Sequence, residues 1–349
     1  MSFDEDEFEV SHADALSGAS QRFAPEQMVT CSVCARRNPP TRMKCLYCGA
    51  EIPETEATKN LRRPVLKPLE EWEQGFNVVL LREQSADANE NALRDAATLL
   101  RLERSALEGM LAANAALPLA RVAAHDEAQM IERRLSELNF AVEIISDVDL
   151  EAESKVPQRV RQLRWTENDV TLTTNIGANS HVVRWKDVVL LVSGRLRHKR
   201  IEIEEGRGRR GMRNEVVDSR EMFEDESVLD VYACAPGEGW RITAENFDFS
   251  CLGEEKNLLA AQNFRTLVAE LRARASLARF DDEYAPLRPL LAHAWPLAER
   301  TEAGGLRRAR PGRFHREAVT TVSNEAQFTR YSLLLHHLEL RQGRRSDGK

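Results

Sequence analysis

Two short cysteine pairs carry the chemistry most plainly written in this chain: Cys31-Ser-Val-Cys34 and Cys45-Leu-Tyr-Cys48, facing each other across a ten-residue loop. Each Cys-x-x-Cys turn aims two sulfurs at one point, and the loop lets the second turn fold over the first. Cys31, Cys34, Cys45 and Cys48 can thus close a tetrahedron around Zn²⁺. Four sulfurs saturate the metal and leave no position for a water molecule. The spacing therefore predicts a structural zinc, not a hydrolytic one, holding together a module too small for a core of its own.

The rest of the chain gives no second constellation. Cys234 and Cys251 have no histidine near them in sequence and read as small buried thiols. His336 and His337 are neighbours on a predicted helix, where successive side chains diverge by about 100°, a poor geometry for sharing an ion. There is no Gly-rich phosphate loop, no Gly-x-Ser-x-Gly elbow and no His-Glu-x-x-His pair. No catalytic residue is assigned, and a recognition protein with no small-molecule substrate is expected.

Length and charge bound the elements that must position the cysteines. The 349 residues exceed one ordinary core, and at about 150 residues per domain two or three units are expected. The 42% hydrophobic and 30% charged content is that of a soluble globular chain. Apolar runs such as residues 188–192 fall far short of the roughly 20 residues of a membrane span. The acidic beginning lacks the apolar stretch of a secretory signal. A cytoplasmic setting is expected, where clustered thiols hold metal more often than they form disulfides.

The net charge of -7 conceals a segregation. Residues 1–29 hold seven acids and one arginine, residues 30–68 eight Lys/Arg and three acids, and residues 300–349 eleven Lys/Arg and five acids. Residues 1–28 are expected to be a disordered acidic tail. The two basic segments can meet an anionic partner or simply solvate linkers.

Residues 29–53 form the expected finger. The order Cys31, Cys34, Asn38, Cys45, Cys48, with these spacings, resembles the zinc fingers of the Ran-binding-protein type. Cys48-Gly49 is nearly as similar to bacterial zinc ribbons, in which the glycine supplies permissive backbone. Ran-binding-type fingers normally carry a tryptophan two residues before the first cysteine, where this chain has Val29. In RNA-binding members that aromatic stacks on a base while nearby arginines contact its edges or phosphates. The resemblance implies that Arg36, Arg37, Arg42 and Lys44 would supply the charge here, with Tyr47 substituting as the stacking surface.

After a Pro- and charge-rich linker at residues 54–74, a compact α/β unit is predicted at residues 75–147. It runs strand (76–81), helical spacing (91–102 and 105–113), short strand (119–122), a helix capped by Asp126, and a closing strand (141–145). This order, with Leu117-Pro-Leu-Ala-Arg-Val122, Ile131-Glu-Arg-Arg-Leu135 and Phe140-Ala-Val-Glu-Ile144, resembles the C-terminal domain of the bacterial ribosomal stalk protein and the Clp protease adaptors. That resemblance implies a docking module. The lysine-rich helix that stalk proteins offer to translation factors is absent, since Arg94, Arg101 and Arg104 stand among acids.

Residues 147–157 read as an acidic linker. At residues 157–277 alternation replaces helical spacing: Leu163 and Trp165, Val170 and Leu172, Val183 and Trp185, Ile201 and Ile203, Leu229 and Val231, Trp240 and Ile242. These are half-buried antiparallel strands, followed by one helix at 255–275 with Phe264, Leu267 and Leu271 along one side. Six or seven strands closed by a C-terminal helix, and the stretch Val183-Arg-Trp-Lys-Asp-Val188, resemble a pleckstrin-homology-type barrel. Some members bind phosphoinositide headgroups through basic early loops, but residues 175–180 hold no Lys or Arg. Arg195, Arg197, Lys199 and Arg200 read as a solvated strand edge, and residues 205–225 as a mobile loop. Residues 278–323 read as a basic irregular linker. Residues 324–341 form a last helix, capped by Asn324, whose Phe328, Tyr331, Leu334, Leu335 and Leu338 must pack back or meet a partner.

The expected whole is an α+β multidomain protein: a small zinc finger, a compact α/β docking domain and an antiparallel, pleckstrin-homology-like β-barrel closed by a helix. The expected function is a non-enzymatic, zinc-containing adaptor or scaffold for a protein partner. The alternative is an RNA- or ribosome-associated protein using the basic finger and Arg-rich linker.

Overall fold

The computed structural model describes residues 23–59, 61–82, 89–153, 156–174, 179–206, 215–235, 238–310 and 313–347; the acidic segment 1–22 lies outside them. The chain divides into two units, Met1–Pro64 and Val65–Lys349. In the first, β1 (Val29–Thr30) and β2 (Arg37–Asn38) form an antiparallel pair, followed by the short α1 (Glu56–Lys59). Among the described residues its core is Cys31, Cys45 and Ile52 with neighbours packed around them. Part of the expected 54–74 linker belongs to this unit. Buried Arg62 donates from Nε to the carbonyl of Pro40 at 3.0 Å and from Nη1 to that of Ile52 at 2.9 Å. Charge made this segment read as solvated, but its arginine satisfies the finger's orphan carbonyls.

The second unit opens with β3 (Phe76–Leu80), α2 (Glu90–Leu100), α3 (Arg104–Ala112), β4 (Leu117–Val122), α4 (His125–Glu137), β5 (Val142–Ser146) and α5 (Asp147–Glu153). The strands form an antiparallel sheet in the order β4-β3-β5. Asn89 caps α2 by accepting from the Ala92 N–H at 2.8 Å. The β3/β4 register slips between Val78 and Val79, where the partner is Pro118, which has no N–H to give the ladder.

Next come β6 (Gln158–Trp165), β7 (Asp169–Thr174), β8 (Ser180–Arg184), β9 (Val188–Gly206), β10 (Glu215–Ala233), β11 (Gly239–Thr243) and α6 (Ala260–Arg274). The remainder is β12 (Arg279–Asp281), α7 (Tyr284–Leu291), β13 (Ala298–Arg310), β14 (Arg313–Ser323) and α8 (Glu325–Asp347). A curled half-barrel sheet runs β13-β14-β9-β10-β11-β6-β7-β8, with β12 added beside β9. The pairing of β11 with β6 is parallel, so the sheet is not wholly antiparallel. The fold is mixed α+β, with eight α-helices among the described residues.

Several sequence expectations change here. The irregular linker at 278–323 is largely ordered structure. Its β14 pairs antiparallel with the second half of β9, from His315↔Gly206 to Ser323↔His198, and β13 pairs with β14. The loop expected at 205–225 is strand at both ends, with residues 207–214 outside the described residues. Lys199 and Arg200 therefore lie inside the sheet, between β10 and β14, while Arg195 and Arg197 pair with β10 alone. Carboxylates pair with them: across the strands Asp225 with Arg195 (2.8 Å) and Arg197 (3.6 Å) and Glu221 with Lys199 (3.2 Å), and along β9 Glu202 with Arg200 (2.9 Å).

The acidic linker expected at 147–157 begins instead with α5 and a buried carboxylate. Asp147 Oδ2 accepts from Arg121 Nη2 at 2.8 Å and from the Gly75 N–H at 2.8 Å. Its Oδ1 accepts from Asn77 Nδ2 at 2.8 Å, and Asn77 Oδ1 accepts from the Trp295 indole at 2.8 Å. Gln327 in α8 donates to the Trp295 carbonyl at 2.7 Å. This buried relay ties the α/β layer to α7 and α8.

One core joins Val78, Leu117 and Ile131 to Leu190, Trp295 and Phe328, and a second gathers Leu172, Leu191, Leu229, Trp240 and Leu267 under α6. The run Val188-Val-Leu-Leu-Val192 is apolar at consecutive positions because both faces of β9 are covered. The expected separate domains 75–147, 157–277 and the helix 324–341 are thus parts of one unit, and α8 packs back with Phe328, Tyr331, Leu334 and Leu335 buried.

Candidate metal centre

The two cysteine turns are built alike. The N–H of Cys31 donates to the carbonyl of Arg36 (3.0 Å) and that of Ala35 to Cys31 (2.9 Å). In the second turn the N–H of Cys45 donates to Ala50 (2.8 Å) and that of Gly49 to Cys45 (3.0 Å). The residue after each closing cysteine is left-handed, Ala35 at φ 54° and Gly49 at φ 73°. Glycine takes this conformation without strain; alanine does not.

These turns bring four sulfurs to one point. All lie within 4.8 Å of one another, with close approaches between the turns: Cys31 to Cys48 at 3.7 Å and Cys34 to Cys45 at 3.5 Å. A disulfide needs about 2.05 Å. A tetrahedron with metal–sulfur bonds of about 2.3 Å has edges of about 3.8 Å, so the spacing suits a shared ion. The four cysteines can hold a metal.

Groups around the sulfurs complete the site. The N–H of Val33 points at Cys31 Sγ and that of Tyr47 at Cys45 Sγ, each at 3.4 Å. Buried Asn38 donates from Nδ2 to Cys45 Sγ at 3.4 Å and to the Arg36 carbonyl at 3.0 Å, and its Oδ1 accepts from the Leu46 N–H at 2.8 Å. The backbone N–H groups of Cys34 and Val33 lower the Cys31 pKa. Burial works against Cys45, yet the N–H groups of Tyr47 and Cys48 and the Asn38 amide bring it down to about 6. For Cys48 the Ala50 N–H pulls down, but burial and the three neighbouring sulfurs push it up to about 12. Such crowding of thiolates is what a bound cation relieves. Asn38 entered the sequence reading only as a spacing mark; its polar side chain beside a thiolate is the signal for this role.

Arg36, Arg37, Arg42, Lys44 and Tyr47 are all exposed. The structure brings two of them together, with the Arg36 guanidinium 4.7 Å from the centre of the Tyr47 ring. Arg37 lies on β2 opposite Thr30 and stands outside that stack, as does Arg42. Cys234 is exposed, not buried as its sequence context suggested, and Cys251 is half-buried, its thiol pushed up to about 11 by burial. His336 Nε2 meets the Ala233 carbonyl at 3.0 Å, with its ring stacked on Tyr232.

No protein-family model, curated protein or solved structure matches this chain. Among the described residues, no helix is long and apolar enough to cross a membrane.

Proposed function

We propose that the metal is zinc and that the chain is a non-enzymatic adaptor that recognises a protein partner. The observation that carries this reading is the division of the finger into two surfaces. Four sulfurs converge on one point, while the middle residues of both cysteine turns face solvent: Val33 is 72%, Leu46 54% and Tyr47 55% exposed. An all-thiolate set favours zinc over harder cations and leaves no ligand position for reacting water. Apolar groups clustered on an exposed surface mark an interaction site. The β4-β3-β5 sheet with α2, α3 and α4 supports the stalk-protein-like docking reading, and six strands followed by α6 support the pleckstrin-homology-like one.

A photo-crosslinker placed at position 33 in cells of the source organism tests this. One protein should be captured, its purified form should bind the chain directly, and Leu46→Asp with Tyr47→Ala should weaken that binding while the metal stays bound. Equal binding by the double variant, or no capture, overturns the reading.

The Arg36–Tyr47 stack favours a second reading, in which the finger holds single-stranded RNA. Such binding would weaken with salt, with a log-log slope of roughly one unit per phosphate contacted. No binding at low salt removes it.

A further inference from the structure

Within the second unit, α5, β13, β14 and the first turns of α8 line an open pocket of about 450 Å³. Its wall carries three carboxylates, Glu71, Glu151 and Glu325, and three guanidinium groups, Arg241, Arg300 and Arg330. The partners each already has decide what the pocket can take.

Two of the acids are paired with arginines, and the third has only an amide. Glu325 Oε1 receives Arg159 at 2.9 Å and Arg241 at 3.4 Å, Glu71 Oε2 receives Arg300 at 3.0 Å, and exposed Glu151 receives the Gln74 amide at 3.5 Å. Arg241 is also held by a bidentate pair with buried Asp230, both bonds 2.8 Å.

The groups left over are donors. Arg330 gives one hydrogen bond, from Nη2 to the carbonyl of Glu71 at 3.0 Å, and among the described residues it has no carboxylate at ion-pair distance. Burial, then the like charge of Arg121, hold its pKa below the usual guanidinium value against the opposing pull of Asp147, Glu71 and Glu151, none of them in direct contact with it. The imidazole of His198 and the hydroxyl of Thr321 line the same pocket, neither with a hydrogen-bond partner among the described residues. A half-buried guanidinium with no carboxylate in direct contact, beside two polar groups without a protein partner among the described residues, offers donors to an anion. The volume exceeds that of a bare inorganic anion, and Ala326 and Leu333 give the wall an apolar part.

We propose that this pocket binds a small organic anion, a phosphate ester or a carboxylate, whose charged group pairs with Arg330 and is assisted by His198 and Thr321. The apolar wall takes the body of the ligand.

Calorimetry on the full chain tests this with three probes: adenosine monophosphate, citrate and inorganic phosphate. The first two separate the phosphate source from the carboxylate source. At least one should bind saturably at one site, more tightly than inorganic phosphate. Arg330→Gln should weaken it at least tenfold, Arg330→Lys less, and Arg42→Gln in the finger should change nothing. Should Arg330→Gln melt early, His198→Gln with Thr321→Val serves instead, with a loss of several-fold expected. Binding unchanged in these variants, or no binding by any probe at millimolar concentration, overturns the proposal.

Discussion

The side-chain amide of Asn38 donates to the sulfur of Cys45 across 3.4 Å, and the same side chain accepts from the backbone of Leu46, inside the second cysteine turn. One buried residue of β2 therefore both stabilises a thiolate and fixes the turn that presents it. Groups of this kind around a metal orient its ligands, and their loss typically lowers affinity roughly 10–100-fold. Asn38→Ala should weaken metal binding by that order, and Asn38→Asp, which sets a carboxylate against a thiolate, by at least as much. Competition against a chelator of known affinity measures both.

Ala35 occupies the left-handed position that Gly49 fills in the matching turn. A side chain there costs about 1–2 kcal/mol that glycine does not. Ala35→Gly should stabilise the metal-bound finger by about 1 kcal/mol after the greater freedom of glycine in the unfolded chain is offset. Hydrogen exchange of the finger amides reports it.

Removing Asp147 would strand Arg121, whose guanidinium is buried against it. Leaving such a charge unpaired costs about 3–5 kcal/mol. Asp147→Ala should lower the denaturant midpoint of the second unit accordingly, while metal binding by the finger stays unchanged.

Burial opposes ionisation of Glu325, but Arg159 and then Arg241 outweigh it and hold its pKa below the usual carboxylate value. Its ionised form is thus favoured more in the folded than in the unfolded protein. The stability it contributes is present above pH about 4.3, the ordinary glutamate value, and is lost as pH falls through the lower folded value. The melting temperature of Glu325→Gln should lie below that of the unchanged protein near neutrality, and the gap should close in acid.

The metal centre was legible because its ligands lie within eighteen residues of one another and their spacing alone sets the geometry. The helices and strands of the α/β layer were legible for a like reason, since each shows its own periodicity. What composition concealed were the long-range partners. Arg62, Asp147 and residues 298–323 look like solvated charge until the Pro40 carbonyl, Arg121 and the second half of β9 are placed beside them. The division into separate domains failed on residues already noted. An apolar run such as 188–192 has no solvent face, so it required cover from two sides, and the α/β layer with α7 and α8 provides one of them. Gly194 shows how close that cover comes: a Cβ there would lie 2.5 Å from the Phe328 ring.

One ion gripped by four sulfurs holds the finger in shape, and metal analysis combined with thiol counting on protein prepared without added zinc is the sharpest test of it. One zinc per chain is expected, with Cys31, Cys34, Cys45 and Cys48 protected from a thiol reagent until a chelator removes the metal, and with Cys45→Ser abolishing both metal and protection. Metal-free protein whose four finger thiols react as fast before chelation as after it would contradict the account.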